Sequence, residues 1–282
     1  MSFSNEDVAE YYNVAHTQYE LGWKLKESHS MHYGYWDETT RSFTEALHNT
    51  TVVMAEKGGI KASHRVLDAG CGVGGPAMQI HEMTKAKVTG ITITERQVHI
   101  ATKEAKRRGV SEEVDFHEMD FCATSFEDES FDVVITCESL CYTPDMPTFL
   151  KEMRRILKPG GRVVISTYFL TDNPLALNNP IIEKWKETWA MTTIVTDGSF
   201  TADAEELGFK IISFEDYTDQ IMRSAKRMYR GGLFSYPLFE LNNLLHPKMK
   251  RFSKINHRSG LYQYRGLKKN LWRHKLVVVE KK

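Results

Sequence analysis

The chain has 282 residues, 41% of them apolar with Tyr and Trp counted, and 37 basic side chains balanced by 37 acidic ones. That length suits one large domain, or one domain with substantial insertions, and no apolar run approaches the roughly 20 residues of a membrane-spanning helix. The first residues lack the basic start and hydrophobic stretch of a secretion signal, and zero formal charge gives no global electrostatic case for nucleic acid.

Residues 1–63 read as an N-terminal helical cap with many aromatics: Tyr11-Tyr12, Tyr19, Trp23, then Tyr33-Gly34-Tyr35-Trp36. From residue 64 the pattern alternates. Strands are expected at 65–67, 87–93, 115–117, 131–137 and 162–168, and helices at 76–83, 97–108 and 146–157. Lys158-Pro159-Gly160-Gly161 stops the last of these helices. Asn173-Pro174 and Asn179-Pro180 mark a loop leading into a Trp-bearing helix, followed by a helix at 200–207 and a strand at 209–217. Residues 219–271 are helical in flavour and interrupt the alternation, as a lid or as a dimerisation element; 272–282 carry a last strand, Leu276-Val277-Val278-Val279-Glu280. The fold class is therefore α/β, a mostly parallel seven-stranded sheet with helices on both faces. Its core spans 64–218 and is completed by 272–282.

Four cysteines, Cys71, Cys122, Cys137 and Cys141, lie in the central part of the chain. Cys137-x3-Cys141 has no second pair at ligand spacing, so free thiols in a reducing cytoplasm are expected and no metal site is assigned. A hydrolase nucleophile elbow, G-x-S-x-G, is absent from the sequence.

The densest signal is Val66-Leu67-Asp68-Ala69-Gly70-Cys71-Gly72-Val73-Gly74-Gly75. A strand ends in an acid and a glycine-rich turn opens a helix, the nucleotide-cradling device of open α/β sheets. A P-loop would need Lys-Ser or Lys-Thr after the last glycine, and here Pro76-Ala77 follows Gly75. An acid before the first glycine repels pyrophosphate and suits a cationic ligand. Asp68-x-Gly70-x-Gly72-x-Gly74 closely resembles motif I of the Rossmann-like methyltransferases that use S-adenosylmethionine (SAM). Asp120-Phe121, Ser130-Phe131-Asp132-Val133-Val134 and Leu157-Lys158-Pro159-Gly160-Gly161 follow in the family's order.

The resemblance implies SAM as cofactor, with Asp68, Gly70, Gly72 and Gly74 around it. Thr92 stands where the family often has a ribose-binding acid; Thr92 and Gln97 could hold the ribose hydroxyls instead, with Ile93 beside them. Asp120 and Phe121 take the adenine positions, and Tyr33 and Glu138 the methionine end. The aromatic entry segment resembles that of sterol, isoprenoid and natural-product methyltransferases, which places Tyr12, Tyr35, Trp36 and Tyr142 at the acceptor. Glu138 is the first candidate for stabilising a cation or taking a proton, and His32 is a second base candidate.

The expected activity is methyl transfer to a small, largely apolar metabolite, with carbon methylation of an isoprenoid or sterol-like acceptor favoured. Oxygen or nitrogen methylation of another natural product is the alternative. RNA or protein modification is a third reading, on the basic run Lys248, Lys250, Arg251, Lys254 with Tyr262 and Tyr264 nearby, although the nucleic-acid signal is not strong. A homodimer is compatible with the 219–271 segment.

Overall fold

Reciprocal capping starts the first helix. Asp7 donates its amide to the Ser4 hydroxyl and takes the Ser4 amide on its carboxylate, opening α1 (Asn5–Gly22). The short α2 (Leu25–Ser28) follows, and Ser42 with Glu45 repeats the same cap at α3 (Phe43–Gly58). The computed structural model describes residues 3–282, so Met1 and Ser2 of the expected cap lie outside the described residues.

The chain then alternates through β1 (Arg65–Ala69), α4 (Gly75–Thr84), β2 (Lys87–Thr92), α5 (Glu95–Arg108), β3 (Val114–Glu118) and β4 (Phe131–Cys137). It continues with α6 (Met146–Ile156), β5 (Leu157–Leu170), α7 (Pro180–Trp189), α8 (Asp197–Glu206) and β6 (Phe209–Asp216). Next come α9 (Thr218–Leu245), α10 (Arg251–Ile255), α11 (Ser259–Lys268) and β7 (Trp272–Lys281). The strands form one seven-stranded sheet in the order β3-β2-β1-β4-β5-β7-β6. β7 runs antiparallel to both of its neighbours, and the remaining pairings are parallel.

Strand periodicity divides the core. Val66, Val133, Val164 and Val278 point to one face, where they meet Met54 of α3, Met78 of α4 and Ala101 of α5. Leu67, Val134, Val163 and Val277 point to the other, against Phe149 of α6 and Phe200 of α8. A third cluster joins the cap to the insertion and to the strand ends, with Tyr11, Tyr33, Tyr168, Trp185, Phe252 and Trp272.

Three expectations are corrected by this architecture. α3, assigned to the cap, belongs to the helical layer on the sheet because its apolar side faces Val133 and Val164. The turn at 158–161 lies inside β5 as an irregularity: the register jumps from Phe131↔Leu157 to Val133↔Arg162. Finally, β7 is twice the length of the Val-rich run 276–280, since Trp272 to Lys275 also pair, against Leu170 to Thr167.

Candidate active site

A narrow cleft opens at the carboxyl ends of β1, β2 and β4, where the strand order reverses around β1. The glycine turn forms one wall. Asp68 lies in the buried part of β1, one residue before its end, and is 1% exposed. Burial pushes its carboxyl up to about 7, against a hydrogen bond from the Ala77 backbone that lowers it. Its Oδ2 has no partner among the described residues. A buried carboxylate oxygen left without a donor is costly, and a cationic group entering the cleft would satisfy it. Gly70 follows with φ +92°, and a Cβ built there would lie 2.4 Å from Ser139 Cβ. Ser139 cannot give way easily, because its hydroxyl donates to Ala69 O at 2.7 Å. The Met31 methyl sits against Gly72, so the 29–32 segment covers the turn.

The second wall comes from β2. Thr92 Oγ1 donates to Gln97 Oε1 at 2.6 Å, which leaves the Gln97 amide hydrogens free to donate to hydroxyl oxygens. Ile93 and Phe121 add apolar surface on this side, and Val8, Tyr12 and Tyr142 close the far end. The Tyr12 hydroxyl donates to the Tyr142 hydroxyl at 3.1 Å.

Glu138 lies just past β4 with φ +55°, a left-handed conformation that costs a non-glycine residue roughly 1–2 kcal/mol. Its carboxylate accepts three hydrogen bonds. Tyr33 N donates to Oε1 at 2.7 Å, His274 Nε2 donates to the same oxygen at 3.1 Å, and Tyr168 OH donates to Oε2. Burial pushes the Tyr168 phenol well above its ordinary value, so it stays a donor. The result is a fixed acceptor group at the floor of the cleft.

His32 is buried beside it. Its Nδ1 is 2.9 Å from Tyr33 O, and a carbonyl accepts only, so Nδ1 carries the proton. Nε2 is buried with no partner among the described residues, and the residue lines the cleft. Burial lowers the His32 pKa, against Glu138, which raises it. The neutral ring therefore presents an unshared lone pair at Nε2.

Comparison with known proteins identifies the family. A family described as a methyltransferase domain matches residues 67–165. Sterol 24-C-methyltransferase ERG6B of Gibberella zeae is 39% identical over 163 residues, covering 58% of this chain and 42% of that protein. The match spans about half the length, or less, of the sterol relatives. The 27-O-demethylrifamycin SV methyltransferase of Amycolatopsis mediterranei is 31% identical over 205 residues, covering 72% of this chain and 75% of that protein. The chain belongs to the SAM-dependent methyltransferases. The fold of this methyltransferase is also that of the [4+2]-cyclase SpnF, with TM-score 0.80, 21% identity and coverage of 100% and 97% of the two chains. A geranyl diphosphate methyltransferase in complex with GPP and sinefungin superposes with TM-score 0.76 at 17% identity, covering 99% of both chains.

Of the residues singled out in the sequence, Asp68, Gly70, Gly72, Thr92, Ile93, Gln97, Phe121, Glu138, His32, Tyr12 and Tyr142 line the methyltransferase's cleft. Five others do not. Gly74 caps α4 and faces Phe116 and Ala101, so it serves helix–sheet packing. The Asp120 carboxylate accepts from Cys122 N and Asn5 Nδ2, which ties α1 to the turn after β3. Tyr33 reaches Glu138 through its backbone; its side chain turns away, donates to Gln263 Oε1 and stacks near Trp272. Tyr35 packs on Tyr217, and Trp36 donates to Ser224 Oγ under the Arg223 guanidinium. An extended segment alternates its side chains, so aromatic density alone did not say which of them face the cleft.

Sequence reasoning missed Met31, Tyr168 and His274. The last two are register partners across β5 and β7. Their meeting at Glu138 follows only once β7 is known to pair antiparallel with β5. The 219–271 insertion contributes no described residue to the cleft lining; it packs on the cap and behind Tyr33.

Proposed function

We propose that this methyltransferase transfers a methyl group from SAM to carbon in an isoprenoid or sterol-like acceptor. The observation that carries this reading is the pairing of Glu138, an acceptor group fixed by three donors, with His32, whose Nε2 lone pair is unshared, in one apolar-walled cleft. Methylating an alkene creates a carbocation that must be stabilised and must then lose a proton. A fixed acceptor group answers the first need and a neutral imidazole the second. The names of the sterol and geranyl diphosphate relatives support the same acceptor class.

Asp68 would hold the ammonium of SAM, Gly70 and Gly72 would let its backbone-facing side approach, and Thr92 with Gln97 would hold the ribose. Ile93 and Phe121 would flank the adenine. When bound, SAM supplies a methyl group already activated on a sulfonium. The chain's own work is then to position the acceptor against Tyr12 and Tyr142, exclude water, and accept the released proton at His32 Nε2. We place this activity in the cytosol, on a small-molecule acceptor.

Oxygen methylation is the second reading, favoured by the same His32 lone pair and by the rifamycin relative, of which the chain covers 75%. The RNA reading is weakened because two of the four cations of the basic run meet carboxylates, and the neighbouring Arg258 meets another. Lys250 meets Glu10, Arg251 meets Glu187, and Arg258 meets Glu240. A turnover screen with methyl-labelled SAM against isoprenoids, sterols, phenols and amines tests the proposal. Label in a base-stable C–CH3 bond is expected. Label on oxygen or nitrogen overturns the acceptor assignment.

A further inference from the structure

α9 carries a surface that the site does not use. It is 28 residues long, and Ile221, Ser224 and Ala225 bury its inner side against the cap. The outward side repeats at helical spacing. Arg223, Lys226, Arg227 and Arg230 are all exposed along its first turns. The same face then continues in Phe234, Leu238, Leu241 and Leu245, which are 87%, 69%, 54% and 67% exposed. At 100° per residue these eight positions form one stripe, cationic at one end and apolar at the other.

None of the four cations is ion-paired to a carboxylate among the described residues. Two are instead held over aromatic rings, Arg223 above Trp36 at 4.4 Å and Arg227 above Phe43 at 4.7 Å. A groove beside them, reaching Trp23 and Arg41, is lined by no acidic side chain among the described residues.

We propose that this face of α9 docks on an anionic lipid bilayer, the apolar end entering the headgroup boundary and the cationic end contacting acidic headgroups. Charge complementarity selects this occupant. Laid α9 on α9, a second copy would set the four cations against its own cations or its apolar end, and Glu240 of that helix is already taken by His257 and Arg258. A bilayer supplies both hydrocarbon and anions. No helix among the described residues is long and apolar enough to cross a membrane, so the helix would lie on the surface.

The test is co-sedimentation of the full chain with phosphatidylcholine vesicles, with and without about one-third phosphatidylserine. Binding should be at least about tenfold stronger to the anionic vesicles and should weaken with salt. Phe234→Glu/Leu238→Glu and Lys226→Glu/Arg230→Glu should each lower partitioning about tenfold or more, with melting temperature and SAM affinity unchanged. Absence of vesicle binding, or binding unaltered in both variants, overturns the proposal. So does a concentration-dependent dimer that Phe234→Glu/Leu238→Glu abolishes, which would assign the face to a second copy. Because no readout uses turnover, these outcomes are independent of which acceptor is methylated.

Discussion

Asp68→Asn separates the two consequences of burying an unpaired acid. The wild-type carboxyl moves from 3.8 to about 7 on folding, chiefly by desolvation. Each pKa unit corresponds to about 1.4 kcal/mol, so the full cost at high pH is about 4 kcal/mol in the ligand-free protein. Below pH 3.8 both states hold the proton and there is no cost. Between 3.8 and about 7 the folded state keeps a proton that the unfolded chain has lost, so stability falls as pH rises. From pH 5 to pH 8 the loss is roughly 2–3 kcal/mol, or roughly 3–5 °C in Tm for a chain of this size. Asn cannot titrate, so that step should be missing from its Tm–pH curve, and subtracting the two curves cancels every other titrating group. The same substitution removes the carboxylate that, in the proposed SAM complex, would face the ammonium. Breaking such a buried pair costs roughly 3–5 kcal/mol, which is about 100- to 4000-fold in SAM affinity. Thermal melts at the two pH values, followed by titration calorimetry with SAM, read both effects. A pH step that survives in Asp68→Asn, or SAM affinity within about threefold of wild type, would refute the reasoning.

Other perturbations probe the floor of the cleft and its wall. His32→Gln should lower kcat by roughly 100-fold or more with SAM affinity intact; because burial lowers the His32 pKa, wild-type kcat should hold its plateau to a pH below the ordinary histidine value and then fall. A pH profile with the same acid limb in both proteins would remove His32 as the base. Glu138→Gln replaces an acceptor oxygen by an amide that points hydrogens at donors, and should cost roughly 3–5 kcal/mol of stability alongside turnover; unchanged denaturation and kcat would show that the three hydrogen bonds are dispensable. Gly70→Ala places a Cβ 2.4 Å from Ser139 Cβ at φ +92°, so it should destabilise by more than about 2 kcal/mol. Adding Ser139→Gly should restore only part of that, since the backbone strain remains, and full recovery in urea melts would show that the clash is the whole effect.

The βα alternation was legible because its signals are local. Apolar runs, glycine turns and a helix stop at Pro159 each act within a few residues, and the Asp68 turn carries its chemistry in consecutive positions. Thr92 and Gln97 were also within reach, being one strand-to-helix turn apart. What stayed hidden depends on side-chain direction or long-range pairing. Tyr33 was placed at the cofactor, yet it meets Glu138 through its amide while its phenol turns to Gln263, 230 positions further on. Tyr168 and His274 read as ordinary strand residues until β7 settles beside β5. The Lys-Arg run near 250 looked like a phosphate ladder because its acids, Glu10 and Glu187, come from distant helices.

The clamp on Glu138 limits how freely the insertion can change over evolutionary time. One partner comes from the segment after the cap, one from β5 and one from β7, and Tyr33 is in turn anchored to Gln263 of α11. Trp272, at the seam between α11 and β7, donates its indole N–H to the Gln263 carbonyl. Removing segment 219–271 would therefore take away the Gln263 anchor of Tyr33 and loosen the clamp on Glu138. Surface positions of α9 can diverge without penalty to catalysis, whereas the inner side of α11 is held to the same standard as the cleft it never touches.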